Sequence, residues 1–299
     1  LADPGAKLDM TGDGVILEVK NNAADVRIYD LEITGATGNS TDAAIAISNG
    51  GAPKLALTRV TVDNNQGIGI SSSGGMLTVA QSTISGNPGG GISASGGTLT
   101  VTQSTLTGNP GGGISIAGGS LTLSQSDVTL NQGGGVSVSG TGVTFDIVNN
   151  FIYRNGDPDN GTFGGLLLGI AVAGSNRLEF NTIVDNRAVI NSGGVVCNAP
   201  LFAAPNNIIA RNSLNLNTTA VGAQVSPNGC TYPTSKIQDD VVGLGFVDSE
   251  APAPFDYRLT GASSAIDQAL TPSVIAIDHD GKSRPIGPQK DTGAFEFKP

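Results

Sequence analysis

Residues 82 to 93 read STISGNPGGGIS, and residues 104 to 115 read STLTGNPGGGIS, so nearly the same twelve residues recur 22 positions later. A catalytic motif is rarely duplicated at so short an interval. A structural unit that stacks on a copy of itself, in contrast, recurs at a fixed period. The stretch therefore predicts a repeat architecture and says nothing yet about chemistry.

The repeat extends on both sides of this stretch. Its asparagine recurs at intervals of 22 residues, at Asn65, Asn87, Asn109 and Asn131. The alternation of apolar and polar residues in TLTVT and GISIA predicts short strands with one buried face. If the interval stays at 22, Val143 follows Leu121 and Phe145 follows Leu123 in two apolar columns. A period of about 20 residues, made of strands and glycine turns, indicates a solenoid.

The asparagines mark the corners of the predicted coils. Parallel coils lie roughly 4.8 Å apart, so like residues lie over like. We expect each corner asparagine to adopt a left-handed backbone and to hydrogen-bond to the asparagines above and below. The frame NxIxxN at 150–155, 181–186 and 207–212 extends this ladder to Asn155, Asn186 and Asn212, and it adds a second ladder at Asn150, Asn181 and Asn207. The prediction is an all-β solenoid of about nine or more coils.

These corner asparagines and 22-residue turns resemble those of the right-handed parallel β-helix proteins of the pectin-lyase-like class. The tail segments GFVD, DYRLTGASSAIDQ, DHDGKSRPIG and DTGAFEF resemble the C-terminal pattern of secreted bacterial β-helix proteins of the choice-of-anchor type. The resemblance implies a parallel β-helix at 1–230, followed at 231–299 by C-terminal coils and a tail that caps them. It also implies export or surface attachment, and it leaves the activity open.

Charge and cysteine content limit the partners and the location. The net charge of −10 and the pI of about 4.4 disfavour nucleic acid and anionic polysaccharides. No stretch of about 18 apolar residues is present, so the sequence predicts no membrane span. Cys197 and Cys230 fit one disulfide in an exported protein, with two free buried thiols as the alternative. The start at Leu1 suggests a removed export signal and an open coil edge, and such an edge favours self-association.

Charged residues are absent between Asp63 and Asp127 and return on the later coils. The uncharged surface suits neutral glycans, another protein or water. On the later coils the register places Asp146 over Arg177 and puts Arg154, Asp185 and Arg211 in one column, which predicts a salt-bridge ladder. The alternative is a polysaccharide lyase or glycoside hydrolase site, because paired carboxylates or an arginine base suit those reactions. Its candidate catalytic residues are Glu179, Asp185, Arg154, Arg177 and Arg211.

Two acidic loops are candidates for ligand or calcium binding. The insertion at 155–165 protrudes from the predicted solenoid, which makes Asp157, Asp159 and Asn160 the candidate ligand-binding residues. Asp157 and Asp159 lie two residues apart, as do Asp278 and Asp280 in the tail, and closely spaced carboxylates of this kind are typical calcium ligands. Neither loop contains the glutamate that an EF-hand requires, so solvated turns are the simpler interpretation.

The sequence as a whole favours an exported, non-catalytic structural protein of the bacterial surface. Adhesion, glycan contact and self-assembly are the roles that we consider, and the expected partners are surface proteins, further copies of the chain or neutral glycans. The alternatives are the lyase or hydrolase and a glycan-binding module that uses the 155–165 loop. No cofactor is predicted apart from candidate calcium. The one histidine, His279, lies in the tail, so we expect no histidine chemistry on the solenoid.

Overall fold

Each short strand pairs in parallel with its copy one coil away, because every coil carries the same alternation of inward apolar and outward polar residues. Thr83–Ser85 pairs residue for residue with Thr105–Thr107, and Ile92 pairs with Ile114. The computed structural model describes residues 5–20, 25–39, 42–48, 51–140, 142–169, 176–198, 202–214, 221–226 and 229–299. Within these ranges the chain winds into a parallel β-solenoid of about nine turns.

Three parallel sheets, named here A, B and C, form the walls of the solenoid. Sheet A contains Ala6–Asp9, Leu31–Thr34, Thr61–Asp63, Thr83–Ser85, Thr105–Thr107, Asp127–Thr129, Phe151–Tyr153, Thr182–Val184, Ile208–Ala210 and Lys236–Gln238. Sheet B contains Leu17–Val19, Ala43–Ile47, Ile68–Ser72, Gly90–Ala94, Ile114–Ile116, Val136–Val138, Leu166–Leu168 and Val195–Cys197. Sheet C contains Asp25–Tyr29, Lys54–Thr58, Met76–Ala80, Thr98–Thr102, Ser120–Ser124, Thr144–Val148 and Arg177–Glu179.

The remaining elements lie near the C-terminal end. Arg187–Ala188 pairs with Ser213–Leu214, and Phe202–Ala203 pairs with Cys230–Thr231. A one-turn helix occupies Val221–Gln224, and an antiparallel hairpin joins Phe246–Asp248 to Asp256–Leu259. None of the helices in the described ranges is long and apolar enough to cross a membrane.

The core consists of stacked aliphatic columns, in which Ile84, Leu106 and Val128 are fully buried one above the other. In sheet C one predicted register is wrong by two residues. Leu121 pairs with Phe145, and Leu123 pairs with Ile147. The turn that leads from Val136–Val138 into Thr144–Val148 is two residues longer than in the preceding coils, so Phe145 and Ile147 take the buried positions of that strand.

The first corner carries the predicted asparagine ladder. Asn65, Asn87, Asn109, Asn131, Asn155, Asn186 and Asn212 are all completely buried. Each amide nitrogen donates to the amide oxygen of the next asparagine over 2.9–3.1 Å. Asn109 also donates to the carbonyl oxygen of Ile84 and so ties two coils together.

The backbone conformation at this corner differs from the prediction. The left-handed residue precedes each ladder asparagine, with φ between 48° and 63° at Asn64, Gly86, Gly108, Leu130, Arg154, Asp185 and Arg211. The preceding residue makes the reversal, which lets the asparagine side chain turn inward to the carbonyl groups that it binds. Arg154, Asp185 and Arg211 therefore occupy corner positions, and their side chains point outward.

A second corner, between sheets C and A, continues the second predicted ladder upstream with serine. The backbone N–H of Ser82 donates to Ser104 Oγ over 3.1 Å, and that of Ser104 donates to Ser126 Oγ. The backbone N–H of Ser126 then donates to Asn150 Oδ1 over 3.0 Å. From there Asn150, Asn181 and Asn207 follow as predicted, with amide-to-amide bonds of 3.0 and 3.1 Å.

The tail, which was expected to cap the C-terminal coils, lies along the outer flank of sheet A. The amide nitrogen of Gln125 donates to the carbonyl oxygen of His279, and Asn149 donates to that of Ile277. Further along, the backbone N–H of Ala294 donates to Thr182 Oγ1 over 3.0 Å. The short helix instead ends the first ladder, where Gln224 accepts from Asn212 over 2.9 Å. Leu1, on which the predicted open edge rests, lies outside the described residues.

Candidate functional site

Two ion pairs join the candidate residues of the later coils. Arg177 contacts both carboxylate oxygens of Asp146, at 2.7 and 2.5 Å. Arg211 does the same with Asp185, at 2.5 and 2.9 Å. Hydrogen bonding to these carboxylates raises the pKa of both arginines. Tyr257 from the tail also donates to Asp185 Oδ2 over 2.5 Å, so this carboxylate is held from two sides.

Arg154 does not take part in the predicted three-residue ion ladder. Its guanidinium lies 4.0 Å from the ring centroid of Phe255. The oxygens of Asp185, its neighbour in the column, already accept hydrogen bonds from Arg211 and Tyr257. Arg154 therefore packs on the ring of Phe255, and Asp185 pairs with Arg211 on the next coil.

Glu179, the remaining catalytic candidate, is buried beneath the tail with 6% of its surface exposed. Its Oε1 accepts a hydrogen bond of 3.0 Å from Asn206 Nδ2. A carboxylate in this position contacts the inside of the fold and has little access to a polysaccharide. The five candidate catalytic residues thus lie on neighbouring coils without forming one open, unpaired site.

The 155–165 insertion folds back onto the solenoid. The side chain of Asp157 accepts a hydrogen bond from the backbone N–H of Asp159 over 2.8 Å, while Asp159 and Asn160 point to solvent. The ring of Phe163 is buried against the backbone of Gly134. The structure brings the candidate ligand-binding residues together in one turn, which is closed by its own hydrogen bonds.

The tail carboxylates proposed for calcium are engaged within the tail. Asp278 is completely buried and accepts from the backbone N–H groups of Lys282 and Glu296, over 2.7 and 3.0 Å. Asp280 contacts His279 over 2.9 Å and Arg258 over 3.5 Å. The hydrogen bond from His279 is the main cause of the lowered pKa of Asp280. Both carboxylates therefore hold the tail in its conformation.

A cleft of about 410 Å³ lies where the tail meets sheet A, and we call it the tail cleft. Sheet A contributes Asp127 and Tyr153 to it, because both stand on the outer face of neighbouring strands. The tail contributes Phe255, Arg258, His279 and Asp280. Tyr153 packs on Tyr257 with ring centroids 5.0 Å apart, and Phe151 packs on His279 at 4.6 Å. The walls of the cleft are aromatic and its floor is polar.

Burial raises the pKa of two acidic groups in the tail cleft, those of Asp127 and Tyr153. Desolvation raises the pKa of Asp127, and the attraction of His279 offsets part of this shift. Desolvation also raises the pKa of Tyr153, so its hydroxyl keeps its proton. Asp256, in contrast, is hydrogen-bonded to Arg258 over 2.7 Å, and that bond lowers its pKa. The cleft thus combines one poorly solvated carboxyl with two carboxylates that share the guanidinium of Arg258.

The tail brings His279, from which no histidine chemistry on the solenoid was expected, against sheet A. His279 Nε2 lies 3.7 Å from Asp127 Oδ1, because the tail folds back along the coils. Asp127 is the first charged residue after the uncharged repeats, and this was the one signal in the sequence. Tyr153, Phe255 and Arg258 carried no such signal, since a long-range contact between tail and sheet positions them.

The metal-ligand chemistry of the chain is limited. The described ranges contain no group of three or more His, Cys, Asp or Glu side chains that could hold a metal ion. Copper sites in proteins are built mainly from imidazole and sulfur ligands. The only histidine is engaged through Nδ1 with Asp280, and Cys197 and Cys230 form a disulfide with Cα atoms 5.9 Å apart. This donor set does not fit a copper site.

Comparison with known proteins agrees with the fold. The family described as periplasmic copper-binding protein (NosD) matches residues 4–162, although the donor set above does not fit that metal. The crystal structure of pectate lyase Pel9A superimposes with a TM-score of 0.49 and 16% identity, over 91% of this chain and 88% of that one. No curated protein sequence matches the chain significantly.

The family described as right handed beta helix region matches residues 93–251, more than half of the chain. This range contains five of the seven asparagines of the first ladder and strands of all three sheets. The chain therefore belongs to the right-handed parallel β-helix proteins.

Proposed function

We propose that this β-helix protein is an exported, non-catalytic structural protein of the bacterial cell surface, which acts in adhesion or assembly. One observation carries the proposal: the charged side chains that a lyase or hydrolase would use on the coils are engaged with one another or buried. Asp146 and Asp185 are each held by two nitrogens of an arginine, and Glu179 is covered by the tail. A general acid or base must reach a substrate proton, and these groups do not.

The disulfide supports the location outside the cytoplasm. Cys197 is completely buried and bonded to Cys230, and such bonds persist in oxidising compartments. The description of the NosD family as periplasmic agrees with this location. Export of this chain is therefore part of the proposal.

The ladders support a role as a rigid scaffold. Seven buried asparagines run from Asn65 to Asn212, and a second line of serine and asparagine runs along another corner. Fully satisfied buried polar networks favour a single, rigid arrangement of the chain. A rod of this kind suits the display of its outer faces to other surface proteins or to further copies of itself.

An activity screen tests the absence of catalysis. Purified protein is incubated with neutral and acidic polysaccharides, and both new reducing ends and unsaturated products are measured. We expect no product above the buffer control. Product formation by the wild type that is lost in Glu179→Gln or Arg211→Gln would contradict the proposal and favour the lyase or hydrolase. Sedimentation over a range of concentrations tests assembly, and a monomer at every concentration would count against that role.

A further inference from the structure

The tail cleft contains polar atoms that the fold does not use. His279 Nδ1 contacts Asp280 Oδ1 at 2.9 Å, and this contact fixes the orientation of the imidazole. Its Nε2 is buried and has no hydrogen-bond partner within the described ranges. Asp127, which faces it at 3.7 Å, also has no side-chain hydrogen bond to that part of the chain and keeps a third of its side chain exposed. Buried polar groups are normally satisfied, so the unpaired Nε2 beside the partly exposed Asp127 carboxyl indicates a missing partner.

The aromatic walls define the shape of that partner. Phe255 is half-buried and lies nearly parallel to Tyr257, with an angle of 11° between the ring planes. Arg154 stacks on the ring of Phe255 and holds it in place. Tyr153, also half-buried, packs against Tyr257 at the side of the cleft. Flat aromatic faces beside a few polar groups are typical of sites that orient a small ring-shaped ligand.

The charges in the tail cleft select against ionic ligands. Arg258 pairs with both Asp256 and Asp280, so part of the negative charge that could hold a cation is already compensated. Desolvation disfavours the ionised form of Asp127, which weakens it further as a counter-ion. An anion would meet three carboxyl groups in a protein of net charge −10. A neutral ligand with hydroxyl groups fits these conditions best.

We propose that the tail cleft binds a neutral saccharide. One sugar ring stacks on Phe255 and Tyr153, and two neighbouring hydroxyl groups hydrogen-bond to His279 Nε2 and to the Asp127 carboxyl. Arg258 and Asp256 bound the far side of the ring. The cleft volume of about 410 Å³ lies in the range of small-molecule sites. The site differs from the 155–165 loop, and it stands whether or not the coils are catalytic.

Calorimetric titration with defined oligosaccharides tests the site. The probes are the neutral hexasaccharides of cellulose, β-1,3-glucan, mannan and xylan, with hexagalacturonate as the anionic comparison. We expect at least one neutral probe to bind and hexagalacturonate to bind more weakly. Asp127→Asn and His279→Gln should each weaken the binding by about tenfold or more, because each leaves a ligand hydroxyl poorly paired. Asp239→Asn, at an exposed position outside the cleft, should bind as the wild type does.

Each variant is first checked for an unchanged unfolding midpoint or a higher one, so that weaker binding is not confused with loss of fold. The inference fails if none of the neutral hexasaccharides binds, if hexagalacturonate binds best, or if both cleft variants bind as tightly as the wild type. Cleavage of a bound probe would leave this site standing and would instead overturn the proposed absence of catalysis.

Discussion

Asp127 and His279 face each other across the tail cleft, with Oδ1 and Nε2 3.7 Å apart. Asp127 belongs to a regular strand of sheet A, whereas His279 belongs to the irregular tail. Only the docking of the tail brings the two side chains together. The polar floor of the cleft therefore exists as long as the tail stays on the flank of the solenoid.

Asp127→Asn should stabilise the protein at neutral pH. Because desolvation raises the folded-state pKa of Asp127, the folded protein keeps a proton that the unfolded chain releases near pH 4. The free energy of unfolding of the wild type therefore falls as the pH rises through the window between the unfolded and folded pKa values. Asparagine removes this penalty, so the variant should gain stability relative to the wild type as the pH rises. Denaturation at pH 3.5 and pH 7.5 measures the difference.

A gain in stability together with weaker saccharide binding would mark Asp127 as a functional residue, since functional groups often cost stability. The matched control is Asp239→Asn, at an exposed position outside the cleft, whose unfolding midpoint should stay close to that of the wild type at both pH values. An Asp127→Asn variant that is less stable than the wild type at pH 7.5 would show that its carboxylate is needed in ionised form.

The buried Arg284 should contribute strongly to tail docking. It contacts Glu296 Oε2 at 3.2 Å and donates to the carbonyl oxygens of Asp291 and Gly293. Burial lowers the pKa of Arg284 to about 10. Arg284→Met should cost about 3–5 kcal/mol in the free energy of unfolding, because Glu296 is left buried without its partner. Urea denaturation of the variant measures this loss.

The exposed pair of Arg27 and Asp25 provides the comparison, and Arg27→Met should leave the unfolding midpoint close to that of the wild type. Addition of Glu296→Gln to Arg284→Met should recover part of the loss. A loss as small as that of Arg27→Met would mean that the buried pair does not anchor the tail.

Asn109→Ala should destabilise the solenoid locally. The alanine removes the acceptor for Asn87 and the donor to Asn131 and to the carbonyl oxygen of Ile84. Since each unsatisfied buried polar group costs about 1–3 kcal/mol, we expect a loss of at least about 3 kcal/mol. Gln103→Asn shortens an exposed side chain at another left-handed corner position, with φ of 49°, and should change stability by less than about 0.5 kcal/mol. Equal unfolding midpoints for the two variants would refute the role of the ladder.

Reduction of the disulfide should lower stability without removing the fold. The bond links residues 33 positions apart, and the chain-entropy estimate for such a loop is roughly 3–4 kcal/mol. Denaturation with and without a reducing agent measures the effect. The double variant Cys197→Ala, Cys230→Ala serves as the control and should not respond to the reducing agent. A wild type that is equally stable under both conditions would contradict the prediction.

The sequence predicted the features that repeat locally. The interval from Asn87 to Asn109 indicated stacked coils, and the NxIxxN frame placed Asn150, Asn181 and Asn207 correctly in a second ladder. These predictions succeed because each coil packs between coils of nearly the same sequence, so its residues have nearly the same environment as those of the next coil. The register of sheet C failed at Phe145, where a longer turn moved the strand by two residues. The sequence did not predict that Ser104 and Ser126 continue the second ladder, because the prediction followed the asparagines alone.

The tail could not be placed from the sequence. Its contacts join residues that are distant in the chain, such as Asn149 with Ile277 and Thr182 with Ala294, and no periodicity relates them. In the candidate site, too, the contacts between coils could be predicted and the contacts with the tail could not. The pairing of Asp146 with Arg177 follows from the coil register, whereas the meeting of Tyr153, Phe255 and His279 depends on the path of the tail.

Amide hydrogen exchange of the tail tests most directly whether the cleft forms. The backbone N–H of Ala294 donates to Thr182 Oγ1, and that of Glu296 donates to the buried Asp278 carboxylate. Exchange followed by mass spectrometry should show peptides of residues 276–297 protected to an extent similar to the strands of sheet A. Exchange of these peptides at the rate of an unstructured chain, while sheet A stays protected, would contradict the docked tail and the cleft that it completes.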